Sequence, residues 1–265
     1  MLIIGERINS SRPDIQQAIR ARDSRRIAKE MRSQFDAGAK VLDINCAMGL
    51  DNELDDIDWA IGVLQAEIPE AGLSIDSPNH LAIERALATF KGRGGVFINS
   101  VTAEGSKMAT ILPLAARHGA KVIALVIGDG RMPSTKEERR EIAGTILAAA
   151  RRAGIEDARL YFDPLIRPLA TEPEQSREVL DSIGLIKSLG NVKTICGLSN
   201  ISFGLPRRGA VNAAFLSLAI GAGLDAAILD PTDRRVASAL LACTALLGKD
   251  AHCRDYLTAY RRGLI

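Results

Sequence analysis

The chain has 265 residues, of which 47% are hydrophobic and 25% are charged, proportions that are typical of a globular protein and exclude an intrinsically disordered chain. The formal net charge of +2 at pH 7 is too small to indicate a nucleic-acid partner. This length suits one large α/β domain, and we expect residues 1–265 to form a single unit.

The apolar runs and the cysteines indicate neither a membrane protein nor a secreted one. No run approaches the roughly 18 apolar residues of a membrane helix, and Met1 is followed at once by a strand-like segment rather than by a signal peptide. Cys46, Cys196, Cys243 and Cys253 are too far apart for a CxxC metal pair, and a chain of this size does not depend on disulfides. We therefore predict reduced thiols and a cytoplasmic protein without a membrane partner.

Strand-like apolar runs alternate with helix-like segments along the chain. The runs begin near Leu2, Val41, Leu73, Gly95, Lys121, Arg159, Lys193 and Ala226. The first connection, Asp14 to Ala37, is expected to hold one or two helices. The other helices are predicted over Asp51 to Glu67, Asn79 to Phe90, Ser106 to His118, Thr135 to Gly154, Glu174 to Leu189, Val211 to Ala222 and Asp233 to Leu247.

The spacing of the strands favours a TIM (β/α)8 barrel. A mean distance of about 32 residues from one strand to the next is that of a βα unit, and eight such units close into a barrel. An open doubly wound sheet usually has a glycine-rich phosphate turn after its first strand, and Gly5-Glu-Arg-Ile-Asn9 does not match such a turn. An extra amphipathic helix over about 249–262 has Tyr256, Leu257 and Tyr260 on one side, and we expect it to pack on the barrel or to contact another subunit.

Polar residues follow most of the predicted strands. In a TIM barrel the carboxyl ends of the strands form the active-site face, so residues of this kind from several strands are expected to meet there. A single one of them is more often the N-cap of the next helix. The residues are Glu6, Arg7, Asn9, Asp43, Asn45, Asp76, Asn99, Asp163 and Asn200.

These residue types predict recognition of a polar heterocycle. A carboxylate accepts hydrogen bonds from ring N–H and amino groups, and an amide offers a donor beside an acceptor. Gly197 and Ser199 lie at the end of the seventh strand as a floor for a ligand, and Arg207 and Arg208 suit an anionic tail. None of the three histidines falls at a predicted strand end, so a His-rich zinc site is not expected.

Six separated motifs occur in order along the chain. They are Leu2-Ile-Ile-Gly-Glu-Arg-Ile-Asn9, Leu42-Asp-Ile-Asn45, Ile75-Asp-Ser77, Ile98-Asn-Ser100, Asp163-Pro-Leu-Ile166 and Gly197-Leu-Ser-Asn-Ile-Ser202. Together they resemble the pterin-binding methyltransferases, and among these the methyltetrahydrofolate:corrinoid protein methyltransferases. The resemblance implies a TIM barrel, usually a homodimer, that binds tetrahydrofolate or 5-methyltetrahydrofolate at the carboxyl mouth.

The resemblance also implies a role for each matching residue. Three residues are expected to hold the hydrogen-bonding edge of the pterin ring, and Asn200 is expected to face N5 and its methyl group. Gly197 and Ser199 are expected to contact the ring closely, and Arg208, with help from Arg207, to lie near the p-aminobenzoyl-glutamate tail. The three ring-edge residues are Asp76, Asn99 and Asp163, and the supporting residues beside the ring are Asp43 and Asn45.

The methyl group is expected to pass to or from the cobalt of a corrinoid (cobalamin). Asp250-Ala-His-Cys-Arg-Asp255 matches only the first half of the Asp-x-His-x-x-Gly motif of corrinoid domains, so the resemblance implies a corrinoid on a separate protein. Two alternatives stay open from the residues. One is a dihydropteroate synthase-like enzyme, although Glu6-Arg-Ile-Asn-Ser-Ser-Arg12 of this chain is a poor match to the first loop of that family. The other is a non-catalytic folate-binding module.

Overall fold

A computed structural model describes residues 1–48, 52–128 and 130–265, and eight parallel strands in it form a closed barrel in chain order. Each strand begins within one residue of its predicted start, so the predicted TIM barrel is confirmed. The strands are β1 (Leu2–Asn9), β2 (Val41–Asn45), β3 (Gly72–Asp76), β4 (Val96–Val101), β5 (Lys121–Leu125), β6 (Leu160–Asp163), β7 (Lys193–Gly197) and β8 (Ala226–Leu229).

Helices cover the outside of the barrel. The first connection holds two of them, and the predicted start of the next helix at Asp51 lies outside the described residues. They are α1 (Pro13–Arg20), α2 (Ser24–Asp36), α3 (Glu53–Glu67), α4 (His80–Thr89), α5 (Gly105–His118), α6 (Lys136–Arg152), α7 (Gln175–Lys187), α8 (Arg208–Gly221), α9 (Arg234–Leu246) and α10 (Arg254–Arg261). None of the described helices is long and apolar enough to cross a membrane.

Helix α8 begins three residues earlier than its sequence pattern indicates. The prediction started α8 at Val211, whereas the helix starts at Arg208. The difference arises because Arg207 has a positive φ of 52°, which turns the chain directly into the helix. The helix was predicted from the spacing of its apolar residues, which begins at Val211. The backbone turn before it leaves no such pattern in the sequence.

The inside of the barrel is apolar near the strand starts and polar near the strand ends. Because side chains alternate across a strand, the residue two positions after an inward-facing residue also faces inward. The buried interior cluster consists of Ile4, Val41, Phe97, Ile123, Tyr161, Ile195 and Ala226. The next inward positions on the same strands are Glu6, Asp43, Asn99, Leu125, Asp163, Gly197 and Ile228. The apolar cluster is therefore the floor of a mostly polar ring.

Candidate active site

A cavity of about 430 Å³ opens at the carboxyl ends of the strands. It is lined by Glu6, Asn9, Ser11, Arg12, Asp43, Asp76, Asn99, Leu125, Asp163, Gly197, Ser199, Asn200, Arg208 and Ile228. The predicted convergence of strand-end residues is thus found, and eight of the ten proposed site residues lie in this lining. Asn45 and Arg207 are not in the lining.

Two amides hold two carboxylates on one side of the cavity. Asn45 Nδ2 donates to Asp76 Oδ2 at 3.0 Å, and Asn99 Nδ2 donates to Asp43 Oδ1 at 3.2 Å. The register of β3 against β4 sets Asp76 opposite Asn99. Asn45 Oδ1 also accepts from Ser10 Oγ at 2.8 Å, so Asn45 orients Asp76 from behind rather than facing the cavity.

Burial raises the proton affinity of both carboxylates in this group. Asp43 is 5% exposed, and loss of hydration raises its pKa, with the nearby Asp76 adding to the increase. Loss of hydration likewise raises the pKa of Asp76, while the hydrogen bond from Asn45 opposes the shift. A ligand that donates hydrogen bonds to these oxygens would favour their ionised forms.

Asp163 lies across the cavity at the end of β6 and is 7% exposed. Burial raises its pKa to about 6, and backbone N–H groups of Leu165 and Gly197 oppose that increase. The Leu165 N–H donates to Asp163 Oδ1 at 2.8 Å, which fixes the side chain. One carboxylate oxygen is thereby committed to the loop, and the other is available to a ligand.

The chain after β7 brings three predicted residues to the rim. Gly197 ends the strand, and Leu198–Ser202 form a 3₁₀ helix that carries Ser199 and Asn200. A Cβ atom at Gly197 would lie 3.4 Å from Asn200 Nδ2, so this amide lies directly against the end of β7. Arg208 Nη2 donates to the Ser199 carbonyl at 2.8 Å, which anchors that guanidinium at the cavity edge.

Two further charged residues line the cavity: Glu6, which was expected at this face but without a binding role, and Arg12, which was not predicted. Ser199 Oγ donates to Glu6 Oε1 at 2.6 Å, which links β1 to the loop after β7. The neighbouring Arg7 instead forms ion pairs with Glu30 and Asp230 away from the lining. Strand alternation from Ile4 is the signal in the sequence that distinguishes Glu6 from Arg7.

The Asp250-x-His segment has a structural role in the described chain. Asp250 accepts hydrogen bonds from the N–H groups of Asp255 and Tyr256, each at 3.0 Å, at the start of α10. Among residues 1–48, 52–128 and 130–265, no group of three or more His, Cys, Asp or Glu side chains is arranged to hold a metal ion.

The cavity is rich in hydrogen-bond acceptors and has cations only at its edge. Four carboxyl groups, Glu6, Asp43, Asp76 and Asp163, line it together with Arg12 and Arg208. A planar heterocycle with several N–H groups would satisfy the carboxylates, and an anionic substituent would suit the arginines. An adjoining cavity of about 480 Å³ shares Asp76, Asn99 and Leu125 and extends this space towards α5.

Sequence comparisons place this cavity in a known family. The family described as pterin binding enzyme matches residues 5–230. The methylcorrinoid:tetrahydrofolate methyltransferase of Eubacterium limosum is 33% identical over 268 residues, which cover 100% of this chain and 98% of that protein. The methionine synthase of Mycobacterium leprae is 31% identical over 243 residues, which cover 86% of this chain but only 20% of that much longer protein.

Solved structures of dihydropteroate synthase from Xanthomonas albilineans have the same fold. The complex with 7,8-dihydropteroate is 20% identical, covers 93% of both chains and has a TM-score of 0.72. The structure with 4-aminobenzoic acid is 21% identical, covers 94% of this chain and 93% of the other, and has a TM-score of 0.70. Identities this low show the fold alone, whereas the family match and the relative from Eubacterium limosum span most or all of the sequence. This chain therefore belongs to the pterin binding enzyme family.

Proposed function

We propose that this protein is a methyltransferase that moves a methyl group between N5 of tetrahydrofolate and the cobalt of a corrinoid carried by a separate protein. The observation that carries the proposal is the 33% identity to a methylcorrinoid:tetrahydrofolate methyltransferase over the full length of both proteins. The acceptor-rich cavity at the barrel mouth supports it independently, because a pterin has several N–H donors on one edge. Tetrahydrofolate and 5-methyltetrahydrofolate are the proposed substrates.

In this proposal Asp76, Asn99 and Asp163 bind the pterin edge. Asn99 Nδ2 is already used by Asp43, so its Oδ1 is left to accept from the ring. Asp163 and Asp76 each keep a carboxylate oxygen for ring N–H or amino groups. Asp43 and Asn45 support the ring-binding residues through hydrogen bonds and need not touch the ligand.

Asn200 is the proposed catalytic residue. When the methyl group leaves N5, the nitrogen gains negative charge, and a fixed amide N–H would stabilise that charge by about 2–4 kcal/mol. Gly197 and Ser199 position the amide, since they precede it in the same tight turn. The corrinoid of the partner protein supplies the cobalt that accepts or donates the methyl group, and this chain contributes binding and orientation.

Arg208 is proposed to contact the p-aminobenzoyl-glutamate tail. Its guanidinium lies at the cavity edge and is held by the Ser199 carbonyl and by Ser202 Oγ. Arg207 is exposed and outside the lining, so in this proposal it would reach only a tail that extends beyond the cavity.

We further propose a homodimer that associates through α8, α9 and α10. Only Val236 of α9 is buried, although most residues of that helix are apolar. Large apolar side chains on this side of the barrel are exposed, among them Leu218 at 59%, Leu246 at 85% and Tyr260 at 69%. A patch of this kind is typical of a protein contact. The cytoplasmic location expected from the sequence stays a prediction.

Methyl transfer from methylcobalamin to tetrahydrofolate tests the proposal directly. We expect purified protein to convert methylcobalamin to the demethylated corrinoid, followed by absorbance, and to form 5-methyltetrahydrofolate, measured by chromatography. A corrinoid-binding protein loaded with methylcobalamin should react faster than free methylcobalamin. Folate binding without turnover in either assay would contradict the proposal and favour a binding module, and pteroate formed from a pterin pyrophosphate and p-aminobenzoate would favour the synthase.

A further inference from the structure

Glu6 lines the cavity and forms no ion pair with another described residue. Within residues 1–48, 52–128 and 130–265, no ion pair includes Glu6. The adjacent Arg7 is paired with Glu30 and Asp230, and Arg12 lies 3.8 Å from Asp14. Glu6 is partly buried in the middle of β1 and lines the same cavity as Asn200. A partly buried carboxyl group in a cavity, with its pKa shifted from the ordinary value, is a candidate for a functional role.

The only described side-chain hydrogen bond to Glu6 ties it to the turn that carries Asn200. Ser199 Oγ donates to Glu6 Oε1 at 2.6 Å, and Ser199 is the residue directly before Asn200. One oxygen is therefore tied to the turn that carries the amide, and Oε2 stays available to a bound ligand. The other cavity carboxylates accept hydrogen bonds from donors outside this turn. The donors are side-chain amides for Asp76 and Asp43, and the Leu165 N–H for Asp163.

We propose that Glu6 is the group that exchanges the N5 proton during methyl transfer. This inference rests on the proposed function. When tetrahydrofolate accepts the methyl group, the N5 lone pair forms the new N–C bond, and the electron pair of the broken cobalt–carbon bond stays with the corrinoid. The N5 proton passes to the Glu6 carboxylate and then to water. In the opposite direction the N–C bond breaks with its pair on N5, and the Glu6 carboxyl group gives N5 its proton.

The charges that face Glu6 allow it to hold either protonation state. Burial raises the pKa of Glu6, and Asp230 adds to that increase, whereas the Ser199 hydrogen bond, Arg208 and Arg12 lower the pKa. Asp43 and Cys196 also lie within electrostatic range of Glu6. A carboxyl group with a pKa above its usual range is a better proton donor near neutral pH than an ordinary glutamate is.

The test is Glu6→Gln, which keeps the shape of the side chain and can still accept from Ser199. We expect tetrahydrofolate binding to change less than threefold and single-turnover methyl transfer from methylcobalamin to fall about 100-fold, the usual size of a proton-transfer contribution. For the wild type at saturating tetrahydrofolate, where the pH dependence of binding through Asp163 does not contribute, the rate towards tetrahydrofolate should fall as the pH drops through the pKa of Glu6, because the base becomes protonated. The reverse rate should fall as the pH rises through it, and Glu6→Gln should abolish both dependences.

Glu84→Gln is the matched control, because the Glu84 side chain is 47% exposed and pairs with Arg117 outside the barrel. It should keep the wild-type rate. Glu6→Gln with a wild-type rate or an unaltered pH profile would overturn the role of Glu6 while leaving the methyltransferase proposal intact. A wild-type protein without turnover would instead overturn the methyltransferase proposal.

Ser199→Ala keeps the inference testable if Glu6→Gln does not fold. The Ser199 hydrogen bond lowers the pKa of Glu6, so its removal should raise that pKa. The pH at which the rate towards tetrahydrofolate is half-maximal should therefore be higher in Ser199→Ala than in the wild type. Equal midpoints in the two proteins would contradict the inference.

Discussion

Asp163 shows at the scale of one residue how the proposed binding function would oppose stability. Its pKa of about 6 in the folded protein lies above the ordinary value of 3.8, so the folded state binds this proton more tightly than the unfolded state does. The folded state is therefore favoured by protonation, and stability falls as the pH rises from about 4 to about 6. A shift of this size corresponds to up to about 3 kcal/mol.

Asp163→Asn should remove this pH dependence. Relative to the wild type, the variant's free energy of unfolding should improve by up to about 3 kcal/mol between pH 4 and pH 7, measured by urea unfolding at each pH. At pH 7 its affinity for tetrahydrofolate should fall by about 1–3 kcal/mol in calorimetry, since a ring N–H donor loses its carboxylate. An unchanged affinity would reject Asp163 as a pterin ligand.

The same pKa predicts how wild-type binding depends on pH. Protonation turns the free Asp163 oxygen from an acceptor into a competing donor, so folate affinity should weaken as the pH falls below about 6. Calorimetric titrations between pH 5 and pH 8 measure this change, and Asp163→Asn should show a smaller one.

Asn200→Ala separates binding from catalysis. The amide N–H is proposed to stabilise charge that develops on N5 only as the methyl group leaves, so its loss should slow methyl transfer at least tenfold. Binding of tetrahydrofolate should weaken less, because the ring-edge residues are intact. Stopped-flow absorbance with methylcobalamin gives the rate and calorimetry gives the affinity. Equal losses in both would show that Asn200 acts only in binding.

At the scale of elements, the start of helix α10 is stabilised by one side chain, Asp250. Asp250 is 7% exposed and accepts the N–H groups of Asp255 and Tyr256 in the first turn of α10. A side chain in this position satisfies N–H groups that have no partner within the helix. The histidine that follows, His252, lies at a left-handed φ of 56° in the connecting turn.

Asp250→Ala should therefore destabilise α10 by about 1 kcal/mol, the usual cost of losing an N-cap. Hydrogen exchange should become faster at the α10 amides and stay unchanged in the barrel strands. Asp250→Asn is the comparison, because the Asp255 N–H donates to Oδ1 and the Tyr256 N–H to Oδ2, and asparagine keeps only one of these two acceptor oxygens. Its exchange rate should lie between those of the wild type and Asp250→Ala, and exchange at the wild-type rate in both variants would contradict the capping role.

At the scale of the whole molecule, the two sides of the barrel have different surfaces. Helices α2, α3 and α6 each bury four or five residues against the barrel, whereas α9 buries one. Tyr256 and Leu257 of α10 are 37% and 42% exposed, so that helix does not hide its apolar side on the barrel either. The sequence analysis expected this helix either to pack on the barrel or to contact another subunit, and the exposure of its apolar side chains favours the subunit contact.

A charged surface on this side should prevent association. The double substitution Leu246→Glu and Tyr260→Glu should convert a dimer to monomers in sedimentation velocity, because both side chains are strongly exposed and would carry charge into an apolar contact. Leu81→Glu on α4 is the matched control. Leu81 is 52% exposed, but its helix follows β3 and is not part of the proposed α8–α10 contact. A wild-type protein that sediments as a monomer would reject the homodimer.

The sequence by itself determined the barrel and most of its polar rim. Strand and helix periodicity are local properties, so strand starts were predicted to within one residue, and Asp76, Asn99 and Asp163 were placed together by the rule that parallel strands end at one face. The proposed ligand came from the order of the motifs, and the methylcorrinoid:tetrahydrofolate methyltransferase of Eubacterium limosum matches the chain over its full length.

Only the tertiary structure decided which partners the adjacent residues Glu6 and Arg7 contact. Glu6 and Arg7 are equally polar, yet closure of the barrel sends Glu6 to Ser199 and Arg7 to Glu30 and Asp230. Arg207 and Arg208 are separated in the same way, because the left-handed turn at Arg207 leaves only its neighbour at the cavity edge. Such choices depend on partners that are far away in the sequence, and local periodicity carries no information about those partners.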